Sequence, residues 1–510
     1  MLVKTFGCAI VGINAIIVTI EVNSDKGIQF FLVGLPDNAV KESQQRIIAS
    51  FSNLGYKFPR KRITINMAPA DIRKEGAAYD LALAIGIMAV SSQVDATCLE
   101  QYVIMGELSL DGTLNPIRGV LPMAIQAKKE GFKGIIIPKE NAKEAAVVEG
   151  IDVYGAENLS QVVDFLNGEQ IMEPERVQLD GLNLEDGYAF DFQDVKGQEN
   201  IKRALEIAAA GSHNVLLIGS PGSGKTMLAK RLPSILPPMT LAEALETTKI
   251  HSVAGLMGKN KTLLITRPFR SPHHSISDAG LCGGGSFPQP GEISLANNGV
   301  LFLDEVPEIQ RHTLEILRQP MEDRVITISR AKMSVQFPAN FMLVAAMNPC
   351  PCGYYNHPDR ECVCKPGEVQ KYLNKISGPL MDRIDLHVEV LPVPYNELSD
   401  TRKGEPSSEI RKRVVKARKI QEERFKDHPG IHSNAQMTTP LLQKYCLLDP
   451  QGQEALSNAM RRLGLSARAY DRILKVARTI ADLDGSERIQ LGHLAEAINY
   501  RSLDRDNWGI

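Results

Sequence analysis

The sequence predicts an α/β protein whose central part is built on a parallel sheet. Three short, wholly apolar runs, Val215–Ile218, Val300–Leu303 and Phe341–Ala346, alternate with helical patterns, as strands of a sheet covered on both faces do. Earlier residues mix β-rich runs with helical stretches, which is typical of an α+β domain. Near the end of the chain, Leu491, Leu494 and Ile498 follow the spacing of an amphipathic helix.

A chain of 510 residues favours two to four domains. We expect an α+β domain at 1–168, a linker at 169–190, a parallel-sheet domain at 191–395 and a helical lid domain at 396–510. The linker is acidic and is interrupted by Gly and Pro. The first residues are rich in Val, Ile and Thr, which favours a strand pair over a signal peptide. Asp111-Gly112 predicts a hairpin turn.

Composition excludes several classes of protein. The 58 basic and 60 acidic residues give a net charge of −2, so the chain does not hold nucleic acid merely by being basic overall. Aromatic residues make up 5%, with Trp508 as the single Trp, so aromatic stacking platforms are not expected. No apolar run is long enough to span a membrane. Because the eight cysteines do not form a small disulfide framework, we expect a cytoplasmic protein.

A phosphate-binding loop follows the first apolar strand, and a helix-forming segment comes after it. The segment 215–226 reads VLLIGSPGSGKT, which is the P-loop pattern in its required context. Backbone N–H groups and the helix N-terminus would hold phosphates, so we expect ATP and Mg²⁺ as cofactors. Lys225 would reach the β- and γ-phosphates, and Thr226 would bind Mg²⁺. The predicted loop residues are Gly219, Ser220, Pro221, Gly222, Ser223, Gly224, Lys225 and Thr226.

Acidic and amide side chains end the next two apolar strands. Asp304 and Glu305 follow Val300–Leu303, and Asn348 ends the strand after it. Ligands of open α/β sheets bind at this carboxyl edge. We therefore expect Asp304 to bind Mg²⁺ through water, Glu305 to orient the attacking water, and Asn348 to contact the γ-phosphate or that water.

Two arginines are candidates for stabilising negative charge in the transition state. They are Arg383, which would act in a neighbouring subunit's site, and Arg468, in the helical region. A surface position or an Arg–Asp pair is the alternative for each.

Four cysteines, Cys350, Cys352, Cys362 and Cys364, lie within fifteen residues. Four thiolates at this spacing predict one tetrahedral Zn²⁺, although C-x-C is tighter than the usual zinc spacing. A reducible disulfide pair and unliganded thiols remain as alternatives.

Taken together, these motifs resemble the AAA+ ATPases of the Mg-chelatase/MCM-like clade, and the whole chain is most similar to the ComM/YifB family. The motifs are GSPGSGKT (219–226), RPFRSPHH (267–274), GEISLANNGVLFLDE (291–305), MNPC (347–350), PLMDRIDL (379–386) and LSARAYDRI (465–473). The resemblance implies an AAA+ core with a helical lid and a homo-hexameric ring. It also implies an ATP-driven DNA translocase or helicase that promotes branch migration of single-stranded or branched DNA during natural transformation.

In this family, the insert after 267 and the hairpin around 324–337 project toward the centre of the ring. The DNA-contact candidates that the resemblance implies are Arg270, His273, His274, Arg330 and Lys332. The two neighbouring histidines are also weaker metal-ligand candidates.

The N-terminal region resembles the Lon protease domain over 68–87 and 104–127. Lon-type hydrolysis needs a Ser nucleophile and a Lys base, and the matching positions here are Ala78 and Leu121. We therefore expect the fold without peptidase activity.

Three other functions share parts of this sequence pattern. A chelatase-like or protein-remodelling motor has the same ATP motifs, and the Lon-like region argues against it. An ATP-dependent protease lacks its Ser–Lys pair here. A non-hydrolysing scaffold does not need Glu305 and Asn348.

Overall fold

The computed structural model describes residues 1–177, 188–258, 261–285, 288–330, 333–357, 359–365, 367–394, 397 and 403–501. Residues 178–187 of the predicted linker, Lys332 and Trp508 lie outside these residues. The chain divides into two compact units, Met1–Asn183 with Leu241–Ile265, and Leu184–Thr240 with Thr266–Ile510. None of the described helices is long and apolar enough to cross a membrane.

The first unit contains a mixed sheet with helices. Its elements are β1 (Leu2–Val11), β2 (Asn14–Asp25), β3 (Phe30–Val33), α1 (Asn38–Leu54), β4 (Arg62–Ala68), α2 (Asp80–Val90), β5 (Tyr102–Ile104), β6 (Glu107–Leu108), β7 (Leu114–Asn115), α3 (Val120–Lys129), β8 (Gly134–Pro138), α4 (Lys139–Ala145), β9 (Asp152–Ala156), α5 (Leu159–Leu166) and, from later in the chain, α8 (Leu241–Val253). The strand order is β3-β4-β2-β1-β5-β8-β9.

In this sheet β2 pairs antiparallel with both of its neighbours, and all other neighbouring strands are parallel. β1 pairs antiparallel with β2, which confirms the predicted strand pair at the start of the chain. From β1 the sheet continues in parallel through β5, β8 and β9. The predicted turn at Asp111-Gly112 joins β6 and β7. The sequence predicts Val103–Leu110 as the first strand of this hairpin; in the structure only β6 forms that strand, because β5 pairs with β1 and β8 of the large sheet instead.

The segment 241–265 belongs to the first unit, although the sequence analysis places it within 191–395. Hydrogen bonds at the end of α8 account for this. The Ser252 hydroxyl donates to the Glu144 carboxylate at 2.5 Å, and the Gly119 N–H donates to the Ser252 carbonyl at 3.1 Å. These partners are distant in sequence, so the motif pattern gave no sign of the contact. The remaining domain bounds stay a prediction.

The second unit is built on a sheet of five parallel strands. Its elements are α6 (Glu199–Gly211), β10 (Val215–Gly219), α7 (Lys225–Arg231), β11 (Phe269–Arg270), α9 (Asp278–Cys282), β12 (Gly283–Gly284), β13 (Gln289–Pro290), α10 (Glu292–Leu295), β14 (Val300–Leu303), α11 (Arg311–Ile316), α12 (Arg318–Asp323), β15 (Val325–Arg330), β16 (Met333–Pro338), β17 (Met342–Met347), α13 (Glu368–Leu373), α14 (Gly378–Met381), β18 (Leu386–Val390), α15 (Ser407–Phe425), α16 (Thr439–Tyr445), α17 (Pro450–Leu463), α18 (Ala467–Leu483) and α19 (Leu491–Asn499).

The order of the parallel strands is β11-β14-β17-β10-β18. All three predicted apolar strands are confirmed as β10, β14 and β17, and every described residue in them is buried. β10 lies between β17 and β18, so the carboxyl ends of β10, β14 and β17 meet at one edge.

The C-terminal helices share a core with the sheet's own helices. α15 and α18 both pack against α6, and buried side chains such as Val414, Ile473 and Ile480 join the cluster that contains Ala204 and Leu205. The predicted α/β fold with a helical C-terminal region is therefore confirmed.

Candidate functional site

The P-loop turns tightly between β10 and α7. Gly222 and Gly224 have φ angles of +78° and +93°, a backbone region that side chains other than glycine rarely adopt. A Cβ at Gly219 would lie 2.3 Å from the Val390 carbonyl oxygen on the neighbouring strand β18. The glycines therefore provide both the curvature of the loop and its close approach to the sheet.

Lys225 connects the loop to the next strand. Its ammonium donates to the carbonyls of Gly219 at 2.7 Å and Ser220 at 2.9 Å, and to Asn348 Oδ1 at 3.3 Å. Burial lowers the pKa of Lys225, while the charges of Asp304 and Glu305 oppose that shift. The structure thus brings together Lys225 and Asn348, which the sequence only suggested were neighbours.

The two acids at the end of β14 have different surroundings. Asp304 accepts a hydrogen bond from the Thr226 hydroxyl at 2.7 Å and one from the Glu305 N–H at 2.9 Å. Thr226 and Asp304 are an oxygen pair of the kind that Mg²⁺ prefers, so these two residues fit the metal expected here. Glu305 has a φ of +50°, which costs a non-glycine residue roughly 1–2 kcal/mol. Backbone strain of this kind concentrates at functional sites.

Glu305 also has a partner that the sequence analysis assigned elsewhere. His274 Nδ1 lies 3.0 Å from Glu305 Oε2. The family resemblance implies that His274 contacts DNA, whereas the structure places it beside Glu305, the second acid after β14. His273 hydrogen-bonds the Ser275 hydroxyl at 2.8 Å. Among the residues described, neither histidine belongs to a cluster of three or more metal ligands.

The other basic candidates differ in their exposure and in whether an acidic side chain already pairs with them. Arg270 forms a two-pronged ion pair with Glu292, with N–O distances of 2.6 and 2.7 Å. Arg330 is exposed at the end of β15, where the β15–β16 hairpin turns. Lys332 lies outside the described residues. Arg330 is therefore the candidate best placed to meet an anionic ligand.

The two arginines predicted to act in hydrolysis lie in different environments. Arg383 is 5% exposed, and its guanidinium contacts Glu322 at 2.7 Å and the Pro379 carbonyl at 2.6 Å. Arg468 is exposed in the first turn of α18, and its side chain makes no hydrogen bond or ion pair to any other residue that the structure describes. Neither is joined to the P-loop within the described part of the chain.

One turn beyond Arg468, Arg472 contacts a buried carboxylate that the sequence analysis did not select. Arg472 Nη1 lies 3.1 Å from Asp385 Oδ1. The other Asp385 oxygen accepts from the Asn214 N–H at 3.0 Å and lies 3.3 Å from His213 Nδ1. Asp385 follows Arg383 in PLMDRIDL and Arg472 lies in LSARAYDRI, so the shared motif context was the available signal.

The four clustered cysteines converge on one point. Their Sγ atoms all lie within 4.8 Å of one another, and Cys350–Cys352, Cys350–Cys362 and Cys352–Cys362 are 3.2, 3.7 and 3.5 Å apart. A tetrahedral zinc with Zn–S bonds of 2.3 Å separates its sulfurs by about 3.8 Å. The four residues therefore fit a zinc ion.

The thiols of Cys350 and Cys352 differ in how readily they ionise. Burial raises the pKa of Cys350 to about 12. Burial acts in the same direction on Cys352, but N–H groups of Tyr354 and Val363 and the neighbouring thiols lower the pKa of Cys352 to about 6. Several thiolates this close together repel each other, and a divalent cation would offset that repulsion.

Ala78 and Leu121 occupy the positions that match the nucleophile and the base of the Lon protease domain. Ala78 is half-buried in the turn before α2, and Leu121 is fully buried in α3. Neither side chain can act as a nucleophile or a base.

Comparisons with known proteins agree with this geometry. Family models described as magnesium chelatase subunit ChlI match residues 191–398 and 20–141, and one described as the ChlI C-terminal region matches 404–501. The chain is 47% identical to competence protein ComM of Haemophilus influenzae, over 98% of this chain and 97% of that protein. The chain belongs to the ComM/YifB family of Mg-chelatase-like proteins.

Two further relatives are similar to this chain over nearly its whole length. YifB of Escherichia coli is 45% identical over 98% of this chain and 96% of that protein. Rv2897c of Mycobacterium tuberculosis is 41% identical over 98% of both. As a member of the Mg-chelatase AAA+ family, this ComM/YifB protein is ATPase-like in the unit that carries the P-loop.

Proposed function

We propose that this protein binds ATP with Mg²⁺, hydrolyses it, and uses the energy to move DNA strands in branch migration. The observation that carries the ATP step is the meeting of Lys225, Asn348, Thr226 and Asp304 at one edge of the parallel sheet. The DNA step draws on the likeness to competence protein ComM and on the exposed Arg330.

Each residue at this edge has a proposed role. Loop N–H groups and Lys225 bind the phosphates, and Thr226 with Asp304 holds Mg²⁺, which screens the phosphate charge when bound. Glu305 orients the attacking water and accepts its proton, and Asn348 contacts the γ-phosphate or that water. We propose further that Arg383 and Arg468 stabilise transition-state charge from a neighbouring subunit of a homo-hexamer.

ATP turnover with and without DNA tests the proposal. We expect hydrolysis that single-stranded or branched DNA stimulates, and strand exchange on a branched substrate. Lys225→Ala should lose nucleotide binding. Glu305→Gln should keep binding but lose about 100-fold or more in turnover, because general acid–base groups contribute on this scale. Glu308→Gln is the matched control, because Glu308 is an exposed acid three residues further on.

Different results separate the two steps. Turnover of Glu305→Gln at the wild-type rate contradicts the assignment of the base. Hydrolysis without any binding or stimulation by DNA contradicts the DNA step. That result favours the alternative, a chelatase-like or protein-remodelling motor, which the matches to magnesium chelatase subunit ChlI support.

We also propose that Cys350, Cys352, Cys362 and Cys364 hold one Zn²⁺. Purified protein should contain about one zinc per chain, as a four-cysteine site does. Cys352→Ser with Cys362→Ser should lose it, and Cys98→Ser, outside the cluster, should not. No bound zinc in the wild type overturns the assignment.

None of the eight cysteines, all within the described residues, forms a disulfide, which supports a cytoplasmic location for the protein.

A further inference from the structure

The cysteine cluster is continuous with the strand that ends in the nucleotide site. β17 ends at Met347, and Asn348, which receives the hydrogen bond from Lys225, comes next. Cys350 follows two residues later and is fully buried. We call the four cysteines and the loop between them, 350–364, the cysteine knuckle. A displacement of the knuckle would therefore act directly on the Asn348 end of β17.

A second contact joins the cysteine knuckle to the P-loop itself. Gly353 has a φ of +85°, and a Cβ there would lie 2.6 and 2.8 Å from Cδ and Cγ of Pro221. The Gly353 N–H donates to the Cys350 carbonyl at 3.0 Å and closes the turn that starts at the first cysteine. This turn therefore lies directly against the third residue of the P-loop.

Pro221 transmits this contact well because its ring cannot rotate away. The ring fixes the backbone φ of Pro221, and the phosphate-binding N–H groups begin at the next residue, Gly222. Ser220 of the P-loop and Tyr355 of the cysteine knuckle line one small cleft beside the contact. The position of the Gly353 turn thus limits where the P-loop can lie.

The cysteines are what hold the Gly353 turn in place. The described residues between Cys352 and Cys362 form turns and bends without helix or strand. The Sγ atoms of Cys350, Cys352 and Cys362 lie 3.2–3.7 Å from one another, so the cysteines bring the two ends of this loop together. A metal that joins both cysteine pairs would order this loop, as metals do in small domains that otherwise lack a core.

We propose that metal bound by the cysteine knuckle sets the ATP affinity of the P-loop through the Gly353–Pro221 contact. With metal bound, the cysteine knuckle holds the Gly353 turn against Pro221, and this contact keeps the P-loop in the conformation that binds ATP. Loss of the metal releases the turn and weakens ATP binding. This inference rests on the proposed ATP and zinc sites, and it adds a regulatory link between them.

A pair of glycine variants separates the contact from backbone strain. Gly353→Ala and Gly367→Ala introduce a side chain at the same φ of +85°, but a Cβ at Gly367 has nothing within 4 Å. We expect Gly353→Ala to weaken binding of a fluorescent ATP analogue about tenfold, since overpacking distorts the neighbouring backbone. Zinc content should stay at the wild-type level, and Gly367→Ala should bind like the wild type. Equal losses in both variants overturn the inference.

A double-mutant cycle isolates the Gly353–Pro221 contact from the separate effect of each variant on folding. Pro221→Ala removes both ring atoms that a Gly353 Cβ would meet. The Gly353→Ala change should therefore cost much less affinity in the Pro221→Ala background than in the wild type. Additive losses contradict the contact.

Zinc removal completes the test on the full chain. ATP-analogue affinity is measured for zinc-loaded protein, for protein stripped with a chelator, and after zinc is returned. We expect about tenfold weaker binding on stripping and recovery on reloading. Unchanged affinity on stripping overturns this inference and leaves the ATP site standing. Absent binding in zinc-loaded wild type contradicts the proposed ATP site itself, and no retained zinc contradicts the metal assignment.

Discussion

Asp385 is a fully buried carboxylate that basic and polar groups surround. Arg472, His213 and the Asn214 N–H contact its two oxygens. A buried ion pair stabilises little by itself, but removing one partner leaves the other charge buried without compensation. Because Arg472 lies in α18 and Asp385 just before β18, this contact joins the helical region to the sheet.

Arg472→Met should lower the free energy of unfolding of the second unit by about 3 kcal/mol, because Asp385 then stays buried without its cation. Denaturant unfolding followed by circular dichroism measures this. Arg468→Met is the matched control in the same helix. It removes an exposed arginine and should change stability by roughly 0.5 kcal/mol or less. Equal losses in both variants contradict the role assigned to the ion pair.

The same contact predicts how stability depends on pH. Burial alone would raise the pKa of Asp385, but Arg472 and the hydrogen bond from His213 outweigh it and hold that pKa below its usual range. A carboxylate with a lowered folded-state pKa stabilises the fold above its unfolded value of about 3.9, and that contribution is lost as pH falls. Unfolding midpoints below about pH 5 should therefore fall more steeply for the wild type than for Arg472→Met. Parallel pH profiles contradict this.

His274 lies close enough to Glu305 to influence how that carboxylate is positioned. We expect His274→Ala to reduce ATP turnover several-fold with little change in DNA affinity, because a positioning contact to the proposed base is lost. His273→Ala is the control, since the neighbouring ring hydrogen-bonds Ser275 instead. Turnover at saturating ATP and DNA affinity are measured in parallel. If His274→Ala loses DNA affinity and keeps turnover, its original assignment as a DNA contact is the right one.

At the scale of single elements, local chemistry explains which features the sequence predicted. The P-loop, β10, β14 and β17 were predictable because each depends on residue types within a few positions of one another. The partners of His274, Arg383 and Arg472 were not, because each partner lies on a different element, far away in the sequence. Motif spacing shows that such side chains are needed and leaves open which atoms they meet.

The length of the β6–β7 hairpin shows a second limit of sequence reasoning. The segment Val103–Leu110 is rich in apolar residues and leads into the Asp111-Gly112 turn, so the sequence predicts it as one strand of the hairpin, although Gly106 and Glu107 interrupt it. In the structure, β5 is the part of this run that joins the large sheet, and the chain then turns into the short β6. Pairing of β5 with β1 and β8 decides where the first strand ends. The local alternation of residues does not show this pairing, because the partner strands lie elsewhere in the sequence.

The β15–β16 hairpin carries the test of the DNA contact. Arg330 is exposed at its turn, whereas Arg270 is already neutralised by Glu292. Arg330→Ala should weaken DNA binding and reduce the slope of log affinity against log salt by about 1, as the loss of one phosphate contact does. Arg270→Ala should leave that slope close to the wild-type value. Fluorescence anisotropy across a salt series measures both. A larger change in Arg270→Ala reverses the assignment.

For the whole molecule, the proposed action on DNA requires basic side chains to be concentrated at one place, because the net charge is −2. A ring achieves this by placing equivalent residues from every subunit around one pore, so a few exposed basic positions per chain suffice. Head-to-tail interfaces in such a ring also bring one chain's residues to its neighbour's site. Arg383 is the residue on which this arrangement can be tested.

Mixed assemblies of two inactive variants test whether Arg383 acts across subunits. Lys225→Ala and Arg383→Ala should each abolish hydrolysis. In a 1:1 mixture, about a quarter of the head-to-tail interfaces pair an intact Lys225 with an intact Arg383. Turnover should therefore recover to about a quarter of the wild-type rate. Lys225→Ala mixed with Glu305→Gln is the control. Both of those residues belong to one chain's site, so every interface keeps a defective site.

The ion pair with Glu322 supplies the competing explanation for Arg383. Within one chain Arg383 is buried against Glu322 and the Pro379 carbonyl. If that contact were its whole role, Glu322→Gln would lose hydrolysis as fully as Arg383→Ala, and mixing would restore nothing. An arginine that serves the neighbouring site acts through its own N–H donors and does not need Glu322, because a guanidinium carries five of them. Glu322→Gln should therefore retain hydrolysis, and the mixture of Lys225→Ala with Arg383→Ala should recover it.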